Sequence, residues 1–112
     1  MSTKPRAIMA VTMAVEPEHD EEFNRWYNEE HVPERLECPG FLVARRFKAV
    51  EGEFEHQEAL NYLAIYELES LDTLKGELYT TRAANHTEWT KRIGRLRLGG
   101  QRYVYEEIPT TS

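Results

Sequence analysis

The segment Phe23-Asn24-Arg25-Trp26-Tyr27-Asn28-Glu29-Glu30-His31-Val32-Pro33 concentrates residue types that move protons and hold rings. On a helix Phe23, Tyr27 and His31 stand four apart and stack along one stripe, with Trp26 and Glu30 beside them. A histidine at the rim of an apolar aromatic pocket suits general acid–base work, because an unperturbed imidazole titrates near neutrality. The helix is expected to stop before Pro33, which puts His31 at its negative dipole end and favours the protonated ring. A structural role competes with the catalytic one: His31 caps the last carbonyls and fixes the turn.

Other candidates are more scattered. Tyr62 and Tyr66 share one face of a strand, where their hydroxyls can orient a carbonyl or phenol, or simply end core side chains at the rim. Arg45 and Arg46 point to opposite faces, so only one enters a pocket, and it needs a carboxylate from the protein or a ligand. Arg46 has the alternative of an ion pair with Glu67 or a partner chain. Arg35 and Arg46 are the candidates for neutralising permanent or developing negative charge. His86, three residues before Trp89, marks a second aromatic–histidine patch, while His19 and His56 sit in polar, exposed stretches. No metal is expected: Glu30-His31 lacks the spacing that sets two ligands on one helix face. No glycine-rich phosphate loop is present, and Cys38 before Pro39 reads as a buried small hydrophobe.

The elements that must position these residues follow from the patterning. Ala7–Val15 and Leu60–Leu68 are apolar on both faces and read as strands. Between them come a helix from about Pro17 to Glu30, a short turn from Pro33 to Cys38, Pro39-Gly40 as punctuation, and a strand over 41–50. In that strand Phe41, Val43, Arg45 and Phe47 are expected on one face and Leu42, Ala44, Arg46 and Lys48 on the other. Residues 51–58 form a loop. Ser70 is an N-cap for a helix from Leu71 that Gly76 weakens, with a break around Tyr79 to Arg82. A helical piece over Ala83 to Ile93, a strand from about Arg102 to Ile108 and a loose tail from Pro109 to Ser112 complete the chain.

This β-α-β-β-α-β order is an α+β, ferredoxin-like arrangement in one domain spanning residues 1–112: an antiparallel four-stranded sheet with both helices on one face. Two helices cover only one sheet face, yet Met9, Val11 and Met13 alternate with Ile8, Ala10 and Ala14. The second apolar face calls for a cover, and a second copy of the sheet, forming a two-fold homodimer, is the simplest.

Composition narrows the function classes. The 112 residues carry 14 basic and 20 acidic side chains, a net charge of −6, against a nucleic-acid or anionic-membrane binder. No apolar run approaches the roughly 20 residues of a membrane helix. A single cysteine excludes an internal disulfide, and the Met1-Ser2-Thr3-Lys4-Pro5-Arg6 start shows no export leader, so the cytoplasm is expected.

The run WYNEEHVPERLECPGFLVARRF resembles the EthD-like branch of the dimeric α/β-barrel superfamily: Trp26 and Tyr27, then His31, Pro33 and Pro39-Gly40 before a strand. The resemblance is close over Phe23 to Phe47 and extends to the rest only through element order. It implies a pocket between helices and sheet, with His31 as the leading acid–base group. It also implies a choice among cyclases, dehydratases, isomerases, cofactor-free oxygenases, haem-degrading enzymes and members without a reaction. The reading that follows is a cofactor-independent enzyme of the isomerase, cyclase or lyase type, acting on a hydrophobic oxygenated ring or lactone-like molecule. In it His31, Tyr27 and Tyr66 do the chemistry, and Phe23, Trp26, Arg35, Arg46, Tyr62, His86 and Trp89 line the site. A non-catalytic binding or accessory protein is the alternative. A haem-binding monooxygenase-like protein, in which a second-helix histidine such as His86 ligates iron, is another.

Overall fold

A computed structural model describes residues 4–110. The tail expectation for Thr111 and Ser112, and the part of the leader reading that falls on Met1–Thr3, lie outside the described residues. Strands β1 (Ala7–Val15), β2 (Phe41–Lys48), β3 (Leu60–Leu68) and β4 (Leu98–Glu106) form one sheet in the order β2-β3-β1-β4. Every pairing is antiparallel, as the ferredoxin-like order requires. The apolar strands β1 and β3 are the central pair, where both faces are least wetted.

The registers decide which side chains meet. Val11 lies between Ala64 of β3 and Arg102 of β4, and Met9 between Tyr66 and Val104. Met9, Val11, Ala64, Tyr66 and Val104 face the helices and join Phe23, Trp26, Tyr27, Phe41, Leu68 and Ile93 in or against the core. A bulge between Phe41 and Val43 alters the expected faces of β2. It lets Phe41 pack in the core, against Tyr66 and Tyr79, while Val43 and Phe47 stay exposed. Strand β4 starts four residues earlier than expected, because Gly99 and Gly100 adopt positive φ at a register shift opposite Thr12 and Ala14.

The first helix does not stop before Pro33. After a 3₁₀ turn at Pro17–His19, helix α1 (Asp20–Trp26) runs into a π-helical turn at Tyr27–His31 and on into helix α2 (Val32–Leu36). The Val32 amide reaches back to the Tyr27 carbonyl, one residue further than in an α-helix. The wider turn frees the carbonyls that a proline ring would strike, so Val32 keeps helical angles and Pro33 sits in the first turn of α2. Cys38 is buried behind α2, its Sγ 3.4 Å from the Glu34 carbonyl.

Ser70 is an N-cap as expected, its side chain accepting from the Asp72 amide, but it heads a 3₁₀ turn, Leu71–Lys75. Gly76, in extended backbone, ends that turn. Helix α3 (Glu77–Ala84) then includes Tyr79 to Arg82, where a break was expected. The break comes instead at 85–87, because the Thr87 hydroxyl accepts from the Thr90 amide and starts helix α4 (Glu88–Leu96).

Candidate functional site

The extra residue in the π turn sets the geometry at its centre. In an α-helix His31 would lie over Tyr27; here its ring stacks on Trp26, five residues back, at 4.4 Å and 20°. Tyr27 meets the imidazole edge-on at 5.2 Å and Phe23 packs on Tyr27 at 5.4 Å. The aromatic stripe therefore exists, with His31 displaced toward the seam between the π turn and α4.

That seam is locked by polar contacts. The Trp26 Nε1–H donates to Thr90 Oγ1 at 3.0 Å. The hydroxyls of Thr90 and Thr87 donate to Glu30 Oε2 at 3.2 and 2.7 Å. Glu30 and Trp26 thus hold α4 beside the ring they frame.

A cavity of about 570 Å³ opens between these helices and the sheet. His31, Trp26, Tyr66, Arg35 and Thr90 line it, with Met9, Val11 and Met13 of β1 as its apolar floor. Its size is that of a pocket for one small organic ligand.

His31 carries no hydrogen bond to a backbone carbonyl among the described residues, so it is not a helix cap. Nor is it at the dipole's negative end, since α2 continues past it. Burial, then the charges of Arg35 and His86, push its pKa down to about 3. The expected protonated ring is replaced by a neutral one, because desolvation and a cationic neighbour outweigh any dipole effect.

Tyr66 is fully buried, and its hydroxyl has no hydrogen-bond partner among the described residues. The Tyr27 hydroxyl lies near enough to act on it both as a charge and as a weak hydrogen bond, outside full bonding geometry. Burial raises both phenols, Tyr27 to about 12. Buried hydroxyls are nearly always bonded, so this one, at a cavity wall, is available to an oxygen in the cavity.

The remaining expected site residues divide. His86 reaches the cavity lining from the exposed break between α3 and α4, not from a helix. Tyr27 stands behind His31, in the wall and not at the surface of the cavity. Phe23, Tyr62 and Arg46 form a separate cluster on the far side of Tyr27: the Arg46 guanidinium lies 4.4 Å from the Tyr27 ring centre and donates to Asn24 and Asn28. The Tyr62 hydroxyl bonds to Asp20 and Asn24. Arg45, and not Arg46, pairs with Glu67, at 3.2 Å on the outer face. Trp89 turns outward, its indole donating to Glu22 at 3.1 Å.

Sequence reasoning passed over Thr90, Thr87, Glu30's bonding role and Arg102. Thr87 has a local signal, a threonine followed three residues later by Thr90 at a helix start; Arg102 is visible only through its pairing with Val11. The one group of three neighbouring metal-ligating side chains among the described residues, Glu16, Glu18 and His19, lies outside the cavity.

Over residues 6–110 the chain matches the family described as "Domain of unknown function (DUF4286)". No curated protein matches it. Among solved structures it is similar to a dimeric ferredoxin-like protein from an uncultured marine organism, at 12% identity and a TM-score of 0.70, covering 97% of this chain and 93% of that one. A Streptomyces coelicolor monooxygenase in complex with nanaomycin D aligns at 15% identity and 0.68, covering 99% and 95%. An ethyl tert-butyl ether D (EthD) family protein from Bacillus halodurans aligns at 14% and 0.60, covering 91% and 99%. At these identities the likeness is one of fold alone, the ferredoxin-like sheet.

Proposed function

Because the chain belongs to the DUF4286 family, whose description assigns no reaction, we propose a function from the cavity itself: cofactor-independent proton transfer on a hydrophobic, oxygenated ring or lactone-like molecule. The observation that carries this reading is a neutral imidazole and an unpartnered buried phenol lining one cavity with an apolar floor. The EthD-like resemblance at Trp26, Tyr27, His31 and Pro33 supports it, as does the ligand held by the Streptomyces relative in fold. The buried single cysteine fits a reducing compartment such as the cytoplasm. A second copy seated on the outer sheet face completes the assembly.

In this mechanism a His31 nitrogen takes a proton from a carbon beside a carbonyl. The C–H electron pair moves onto the carbonyl oxygen, and the Tyr66 hydroxyl donates to the enolate that forms. Returning the proton at another carbon gives isomerisation; protonating a departing hydroxyl gives dehydration. The ring is in its base form at neutral pH, but a pKa of about 3 makes it a weak base before a ligand enters. The enolate's charge then raises the ring's proton affinity while the anion exists.

Deuterium uptake from D2O into a panel of cyclic unsaturated lactones, β-diketones and hydroxyquinones tests the proposal by NMR. Exchange is expected with the native chain, slowed about 10²–10⁴-fold in His31→Gln. Tyr66→Phe should slow it about 10²-fold or more. That variant should unfold no more easily, since it deletes an unbonded hydroxyl. Exchange by His31→Gln at the native rate refutes the role of His31. Absence of exchange across the panel moves the reading to a non-catalytic binding protein.

A further inference from the structure

The charge pattern of the cavity runs against that of the chain. Twenty acidic side chains give the protein a net charge of −6, yet among the described residues no aspartate or glutamate lines this cavity. Its lining instead includes Arg35, Arg97, Arg102 and Lys91.

These four cations are not equivalent. Lys91 is neutralised by Glu88 at 3.2 Å. Arg97 donates to the Gly99 carbonyl at 2.8 Å, and Arg102 to the Tyr79 hydroxyl at 3.2 Å, both neutral acceptors. Arg35 is only 9% exposed and has neither a hydrogen bond from its guanidinium nor a carboxylate partner among the described residues. Its one close contact of note is the Tyr79 ring, 5.2 Å from the guanidinium carbon. Its nitrogens are not among the fully buried polar atoms that lack a partner, so the guanidinium opens onto the cavity without a counter-charge, and an aromatic face supplies only part of what a carboxylate would. Tyr79 therefore joins Arg35, stacked on its ring, to Arg102, bonded to its hydroxyl.

We infer that the ligand of this cavity carries a permanent carboxylate, seated on the Arg35 fork within reach of Arg102's field, with its ring body between Trp26 and the β1 methionines. The inference rests on the cavity being the small-molecule site proposed above, and it narrows the substrate class to ring acids. One unpaired guanidinium facing the cavity matches a singly charged, planar group, to which it can donate twice. The placement also separates the roles: the carboxylate anchors at Arg35, leaving His31 and Tyr66 for the reacting carbonyl.

The test uses a matched probe pair, 1-naphthoate and 1-naphthalenemethanol, which share a ring body and differ in charge. Affinities are read from two-dimensional NMR shifts, including the Trp26 indole N–H. The native chain should bind the acid at least tenfold tighter than the alcohol, with the preference shrinking as NaCl is raised. Arg35→Met should lose the preference while keeping its affinity for the alcohol. Arg35→Lys, which retains the charge and the fold, should keep part of it. Equal binding of the two probes by the native chain, binding of neither, or an undiminished preference in both variants overturns the carboxylate assignment. The two readings separate by assay: an acid preference that Arg35→Met abolishes, with no deuterium exchange across the panel, keeps the carboxylate seat and removes proton transfer, whereas exchange without an acid preference does the reverse.

Discussion

At the scale of single residues, His31 is governed by what surrounds it and not by its place in the chain. An imidazole is ordinarily half-protonated near pH 6.5, whereas burial and the Arg35 charge hold His31 neutral down to about pH 3. Below pH 6.5 the unfolded chain therefore binds a proton at this position that the folded chain refuses. Stability is lost as pH falls through that window, at ~1.4 kcal/mol per pH unit, and is fully present above it. Between pH 7 and pH 5 the native chain should lose about 2 kcal/mol more than His31→Gln, in which the titrating ring is gone. Urea denaturation at the two pH values measures this, and equal losses would mean that solvent reaches the ring. Tyr66 is the complementary case: a phenol whose missing partner leaves it available to a ligand oxygen.

At the scale of elements, the π turn and the start of α4 form one device. The extra backbone residue swings His31 from Tyr27 onto Trp26, and Thr90 and Thr87 tie Trp26 and Glu30 to α4. Replacing Thr90 by Val keeps the shape but leaves the Trp26 N–H without its acceptor, a part-buried loss of about 1–3 kcal/mol. Thr90→Val should lower the denaturation midpoint accordingly and slow deuterium exchange, because the ring under His31 is no longer pinned. Unchanged exchange in a destabilised Thr90→Val would make this network a matter of folding alone. The Arg46 cluster with Tyr62, Asn24 and Asn28 does a similar job behind the wall, holding β2 and β3 to α1.

At the scale of the whole molecule, the outer sheet face decides the assembly. Ile8, Ala10, Leu63 and Ile65 stand in its centre, and Phe47 and Tyr105 are 45% and 53% exposed beside them. An apolar centre of this kind, rimmed by the Arg45–Glu67 pair, suits a second copy of the sheet, so light scattering should give about twice 13.2 kDa, and Ile65→Glu should return the mass to a single chain. A native mass of one chain would remove the dimer. The sequence by itself determined the strand spans Ala7–Val15 and Leu60–Leu68, the two-sided apolar faces, the Ser70 cap and the clustering of aromatic rings with a histidine over Trp26–His31. These follow from periodicity and local chemistry, which are written within a few residues. Only the tertiary structure decided that the first helix passes through Pro33, that Thr87 moves the second break, and that His31 is neutral. It also decided which candidates meet: Tyr66, Arg35 and His86 join His31 at one cavity, with Arg102 added from β4, while Tyr62, Arg46 and Trp89 go elsewhere. Those outcomes depend on strand register, on one added residue in a helical turn and on desolvation, and each of these is set by residues far apart in the chain.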